Sequence, residues 1–473
     1  MVKRSALRTM ALVLCTLLAA ALMWALWGFD AYYRSARVNP LAQTSAPEKT
    51  SAIEGSASST RANAQAPSMA QVARGQYLAR VGNCVFCHTA PGGELLAGGR
   101  AVQTPFGTVH TSNLTPEPAH GLGRWTQDDF WQALHLGLGP QGQRLSPAFP
   151  YTSYSRLTRA DADALWAFLQ SVPAVPRPHT EANMAWPFGT QTALGLWRAM
   201  YFRPFQTAKE DAAPTGADPV AWTRGRYLVE GLGHCQECHS PRDALGGLRT
   251  ATRGTGGVMP GLPWYAPSLR DAAQAATTDA QALQSFLQTG VGAGRFAAGP
   301  MAEVVLHGTQ YLNHQDAQAI AVYLQSLVQI QADPAMLQSN ANANTGQIAG
   351  SSSSSNANTN PSQAKGADIY KNNCANCHGD QGQGRAGIYP AMAGNRALLM
   401  DKPNNAVLSV LYGGFAPSTQ GHARPFGMPP FMLELSNAQI AQVLSYTRSA
   451  WGNQATPISE LQVQAVRDAQ LRR

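Results

Sequence analysis

Charged side chains are scarce in this chain. Aspartate, glutamate, lysine and arginine make up 13% of its 473 residues, with a balance of +8. Its arginines are dispersed and no nucleic-acid-binding motif accompanies them, so the polyelectrolyte surface that grips a nucleic-acid backbone is absent. The small positive excess serves solubility as readily as it steers toward an acidic partner or anionic lipid. Spare cysteine is lacking too. Six of the seven cysteines fall in three short clusters, leaving only Cys15 apart. Methionine is missing from the whole stretch between His88 and Met184, an absence that matters below.

The three clusters share one pattern. Cys84-Val85-Phe86-Cys87-His88 returns as Cys235-Gln236-Glu237-Cys238-His239 and as Cys374-Ala375-Asn376-Cys377-His378. Two thiols three positions apart, with histidine directly after the second, is the pattern for covalent attachment of haem c. The thiols form thioethers with the haem, and the histidine is held where its ring nitrogen can ligate the iron. A single match would also suit a zinc half-site or a redox dithiol. Three matches predict three covalently bound haems c.

A chain of this length suits about three domains, and linker composition divides it at matching points. Residues 37–69 are small, polar and proline-containing, which predicts a tether. Aperiodic sequence near 206–220 marks a second boundary, and the Asn/Ala/Ser tract within 336–363 reads as a disordered linker. The predicted units are therefore 70–205, 206–335 and 364–455, followed by a tail over 456–473. Each opens with a short helical stretch: Arg74-Gly75 with Tyr77, Arg224-Gly225 with Tyr227, or Gly366 with Tyr370. Each closes on an amphipathic helix with a side-chain cap and an aromatic ten positions later: Thr158 and Phe168, Asn313 and Tyr323, Ser436 and Tyr446. Asp161, Asp316 and Gln439 stand three positions after the caps, a capping-box arrangement. The fold class expected is all-α, three tandem class I cytochrome c domains behind an N-terminal transmembrane helix.

That helix is expected within residues 1–36, where Met10 to Gly28 runs without a charge. Nineteen residues span roughly 28 Å, near the hydrocarbon thickness of a bilayer. Lys3, Arg4 and Arg8 precede it, which predicts a cytoplasmic N-terminus and periplasmic haem domains on the inner membrane. The competing reading is a cleaved signal with Ala19 to Ala21 near the cut.

A low-spin haem needs a second axial ligand, and methionine opposite histidine raises its potential. Met301, 62 residues after His239, and Met428, 50 after His378, stand beside prolines ahead of the closing helices. The first unit departs from this. Phe149, between Ala148 and Pro150, occupies the corresponding position, and phenylalanine cannot bind iron. Haem 1 is then five-coordinate, or takes His110, His120 or His135, a distant methionine or a ligand from a partner. A rival reading follows: a self-contained haem enzyme acting at an open haem 1. Ser146, Tyr151, Ser153 and Tyr154 offer no acid–base pair to support it.

Several further stretches carry a family resemblance. They are Thr89-Ala90-Pro91-Gly92-Gly93 after the first motif, Thr104-Pro105-Phe106-Gly107, Ser240-Pro241-Arg242, Trp264-Tyr265-Ala266-Pro267 and Ser449-Ala450-Trp451-Gly452-Asn453. With the three motifs, these resemble the three-haem cytochrome c subunits of membrane-bound bacterial dehydrogenases across nearly all of residues 70–455. The resemblance implies a non-catalytic electron-transfer subunit that serves a catalytic dehydrogenase, with a further small subunit, and passes electrons to ubiquinone. Residues 148–151 and 299–305 look more like the molybdenum-containing aldehyde dehydrogenase group. Quinoprotein alcohol dehydrogenases and flavoprotein polyol or gluconate dehydrogenases are the alternatives. No room remains in the chain for a hydride-accepting domain of its own. The aromatic segment 186–205 falls outside the repeated pattern, and suits a membrane interface, a docking face or packing between units alike.

Overall fold

The computed structural model describes residues 67–205, 212–270, 280–292, 295–331 and 361–471. The expected anchor lies outside them. Among the described residues no helix is long and apolar enough to cross a membrane.

The chain is largely helical. Its first part contains α1 (Met69–Val81), strands β1 (Ala101–Thr104) and β2 (Gly107–His110), α2 (Gln127–Leu136), the short α3 (Tyr151–Tyr154) and α4 (Arg159–Ser171). Strand β3 (Asn183–Met184) and α5 (Gln191–Tyr201) follow. The middle part has α6 (Pro219–Arg226), α7 (Ala280–Thr289), α8 (Pro300–His307) and α9 (His314–Gln331). The last contains α10 (Pro361–Asn373), α11 (Asn404–Tyr412), the two-residue strands β4 (Gly414–Phe415) and β5 (Gly427–Met428), α12 (Asn437–Ser449) and α13 (Glu460–Leu471). The strands are a departure from all-α. They are short antiparallel ribbons, with β1–β2–β3 the longest sheet, Ala101 opposite His110 and Gly107 opposite Met184.

One crossing recurs three times: α1 on α4, α6 on α9 and α10 on α12. Glycine sits at each contact. A Cβ on Gly75 would collide with the Ala164 carbonyl, one on Gly225 with that of Ala319, and one on Gly366 with that of Gln442. The same three positions abut the Cβ atoms of Phe168, Tyr323 and Tyr446, the aromatics ten places after the caps. The repeat seen in sequence is thus a helix crossing whose backbones come too close for any side chain but hydrogen.

The caps form, with a difference. Thr158 Oγ1 accepts from Asp161 N at 3.1 Å, Asn313 Oδ1 from Asp316 N at 2.8 Å and Ser436 Oγ from Gln439 N at 3.2 Å. Only Ser436 and Gln439 make the reciprocal capping box; Thr126 and Asp129 of α2 make another. Asp161 and Asp316 turn away because stronger donors compete for them. Asp161 binds Arg74 of its own unit and accepts 2.6 Å from Tyr227 Oη of the next. Asp316 binds Arg224 at 2.7 Å and accepts 2.6 Å from Tyr77 Oη. Each aspartate therefore joins two units, and the two joints mirror one another.

The apolar core follows this division. Leu78, Leu165, Phe168, Leu228, Leu232 and Tyr323 belong to one continuous cluster shared by the first two units, whereas Tyr370, Leu408, Leu411, Ile440 and Val463 form a separate one. The second contains a surprise. Residues 456–473, expected to be a tail, include α13, whose Val463 and Val466 are buried against α11 and α12. Asn404 and Asn405 tie this last part to the middle one, through the Pro263 carbonyl and both backbone groups of Tyr265, at 2.8–2.9 Å.

Candidate haem-binding sites

Each cysteine cluster is a single tight turn. His88 N donates to Cys84 O at 2.8 Å, His239 N to Cys235 O at 3.0 Å and His378 N to Cys374 O at 2.9 Å. Asn83 and His234, immediately before the first two turns, are left-handed, with φ of 57° and 38°. This backbone reversal takes the chain out of the opening helix and into the turn.

The approach to the second turn contains one residue more than the approach to the first. Eight steps separate Tyr227 from Cys235, against seven from Tyr77 to Cys84. The structure absorbs the difference by widening. Residues 227–232 form a π-turn, with Gly233 N bonded to Leu228 O, five residues back. Such a bulge lets a helix take an insertion without losing its direction.

The six thiols are not paired in disulfides. Burial pushes Cys84 and Cys235 up to about 12 and Cys374 up to about 11. These three are thus neutral thiols, unlike the thiolate of a reactive dithiol. Among the described residues no cluster of three or more histidine, cysteine or carboxylate side chains is arranged to hold a metal ion. The histidines are held in one common way. His88 Nδ1 meets the Ser112 carbonyl at 2.7 Å, His239 Nδ1 that of Pro267 at 2.6 Å and His378 Nδ1 that of Pro390 at 2.8 Å. A carbonyl can only accept, so Nδ1 carries the proton and Nε2 keeps its lone pair for a metal. Burial lowers the pKa of all three rings, which keeps them neutral. Two cysteine thiols and one oriented imidazole, three times over, fit a covalently held haem with one histidine ligand.

The expected methionines lie in different settings. Met301 is in the first turn of α8 rather than in a loop, half-buried between the shared core and Ala302 and Val305. Met428 is in β5, its residue paired with Gly414, and packs on the last core. Phe149 is half-buried beside Tyr151 and Phe202, its ring 5.4 Å from that of Tyr154. Of the histidines considered for this site, His135 stacks on Trp131 at 4.6 Å and His110 Nδ1 meets the Glu181 carbonyl at 3.1 Å. His120 is exposed.

Sequence reasoning missed the link between the first two sites. Glu237, between the cysteines of the second turn, accepts from Thr152 and Ser153 of α3, both at 2.9 Å, and pairs with Arg242 at 2.5 Å. Burial works to raise its pKa; Arg242 and the hydroxyl donors outweigh it and hold the carboxylate below its ordinary range. Tyr154 donates to Gly82 O at 3.3 Å, and its ring meets His234 edge-on at 5.5 Å. On the other side Phe86 stacks on His307 at 4.9 Å. A glutamate inside one motif and serine and threonine 84 and 85 residues earlier carry no local signal of pairing.

Residues 363–451 match the family model described as cytochrome c. This implies covalently bound haem c. The cytochrome c subunit of alcohol dehydrogenase (quinone) from Gluconacetobacter polyoxogenes is 35% identical over 406 residues, covering 82% of this chain and 81% of that one. The fructose dehydrogenase cytochrome subunit of Gluconobacter japonicus is 34% identical over 428 residues, 86% of this chain and 84% of its own. The gluconate 2-dehydrogenase cytochrome c subunit of Pantoea cypripedii is 35% identical over 398 residues, 82% and 87%. With that identity over most of both chains, on a scaffold of cysteine turns and carbonyl-oriented histidines, the protein belongs to the family of dehydrogenase cytochrome c subunits, which transfer electrons and are not themselves the catalytic enzyme.

Proposed function

We infer that this chain carries three haems c and relays electrons from a periplasmic catalytic dehydrogenase to ubiquinone in the cytoplasmic membrane. The observation that carries the reading is the threefold recurrence of paired thiols beside a histidine whose Nδ1 is fixed by a carbonyl. Cys84, Cys87 and His88 would hold the first haem, Cys235, Cys238 and His239 the second, and Cys374, Cys377 and His378 the third. Met301 and Met428 would supply thioether sulfur to the second and third. Phe149 leaves the first without a thioether. When bound, each haem supplies a one-electron couple tuned by its axial ligands and surroundings.

The chain's own residues position those sites. The carbonyls of Ser112, Pro267 and Pro390 fix the tautomer and orientation of the ligating imidazoles. The shared core and the paired Tyr–Asp–Arg joints keep the first two turns in fixed register. Glu237 adds a standing negative charge at the second turn, clamped by Arg242 and α3. Residues 1–36 anchor the chain, and residues 70–205, 206–335 and 364–455 are the three haem units.

Residues 148–151 and 299–305 favour a molybdenum-containing aldehyde dehydrogenase as the partner, with a further small subunit. The relatives named for alcohol, fructose and gluconate support a dehydrogenase of one of those substrates as the partner instead. Two measurements test the proposal. A pyridine haemochrome assay on purified protein is expected to give three haems per chain; one or two would overturn the count. Affinity purification from membranes is expected to bring down a large dehydrogenase whose substrate reduces these haems. Substrate turnover by the isolated chain would overturn the electron-transfer role.

A further inference from the structure

One helix in this fold has its polarity reversed. The only charged side chain of α5, Arg198, is 3% exposed. It points inward, with its guanidinium 5.1 Å from the ring centre of Tyr151 and 5.0 Å from that of Phe202, and Nη1 donates to the Gly137 carbonyl at 3.4 Å. The outer face has Leu196 and Met200, one turn apart and 40% and 46% exposed. Leu245 adds another 42%, on a loop clasped by Trp197 Nε1 to its carbonyl and by Tyr201 Oη to Asp243. Trp186, just before the helix, is 86% exposed. A surface helix in water turns charge outward and apolar groups inward. The opposite arrangement suits a helix whose outer medium is apolar, with tryptophan at its margin.

The geometry points to this face, built by Trp186, Leu196, Met200 and Leu245, as a surface that rests in the interfacial layer of a lipid bilayer. Two further observations favour lipid over a protein occupant. Two of the polar groups at the head of the helix are already engaged, leaving exposed Thr192: Thr190 Oγ1 donates to Pro187 O and accepts from Ala193 N. Gln191 exchanges hydrogen bonds with the backbone of Arg144. Little remains there for the polar rim that specific protein contacts use. The same chain contains the uncharged run Met10 to Gly28, and residues 29–66 between it and the described body could span over about 100 Å when extended. The body can therefore lie against the bilayer that takes up that run.

The inner face of α5 gives the contact its importance. It packs on Tyr151 and Phe202, beside Phe149. The first haem unit would thus present the loop with its unusual residue directly behind the bilayer. This inference does not depend on the number or ligation of haems.

The test uses the full holoprotein with a nitroxide at Met200→Cys, in a Cys15→Ser background, reconstituted in phosphatidylcholine–phosphatidylglycerol vesicles with the haems oxidised. Leu196→Cys supplies a second position, and Leu433→Cys, where the native side chain is 93% exposed, an aqueous reference. The labels at 196 and 200 are expected to collide more with oxygen, which concentrates in lipid, than with an aqueous nickel chelate, and the label at 433 the reverse. Equal nickel access at all three positions would overturn the inference. So would shielding that appears only with the catalytic partner, or that grows with protein concentration in lipid-free detergent.

Discussion

Tyr77 and Tyr227 each reach across to an aspartate that another unit's helix has set in place by its cap. Neither bond is replaceable by water in a buried joint, and a hydrogen bond to a charged carboxylate contributes about 1.5–3 kcal/mol. Tyr77→Phe and Tyr227→Phe are each expected to lower unfolding free energy by about that amount in denaturant titrations, the double variant by close to the sum, with the last unit unaffected. Asp316 adds a pH signature. Burial tends to raise its pKa, and the bonds from Arg224 and Tyr77 overcome this, so the folded value lies below 3.8. Stability from this carboxylate is complete above its unfolded value, and is lost as acid takes the pH down through the folded one. Wild type is therefore expected to shed more stability below about pH 4 than Asp316→Asn, in parallel acid titrations. Phe149→Met is expected to give the first haem a thioether ligand and raise its potential, seen in redox titration and in the charge-transfer band of methionine-ligated haem. An unchanged spectrum would show that position 149 does not face the iron.

At the scale of helices, much was legible because geometry repeats. Glycine, cap and aromatic recur at fixed spacing since three helix crossings need the same close approach. What escaped was partner choice. Asp161 and Asp316 occupy capping-box positions, yet arginine and tyrosine donors out-compete the cap, and those donors come from sequence up to 239 residues away. α13 escaped for another reason: only Val463 and Val466 of its twelve residues mark an inward face, too few to tell a packed helix from a polar tail. Gly366→Ala tests the crossing. A methyl there meets the Gln442 carbonyl, and overpacking of this kind costs roughly 1–3 kcal/mol. Calorimetry is expected to show one transition moving down while another stays in place, since Gly366 belongs to the core separate from that of the first two units.

Over the whole molecule the cysteine turns were read directly and their setting was not. The motifs announce three like sites. The structure distributes them unequally: two turned toward each other over a common core and bridged by Glu237, the third on a core of its own. Nothing in a local pattern tells a chain of beads from a fused pair with a third attached. The π-turn has a consequence for that fused pair. One residue of α-helix is about 100° of rotation, so an unwidened helix with the extra residue after Tyr227 would deliver the second cysteine turn nearly a third of a turn out of phase with the first. The π-turn takes that rotation up locally, so the two halves present their cysteines alike despite unequal lengths. The wide turn, rather than the cysteine motif, is where the second half records its insertion.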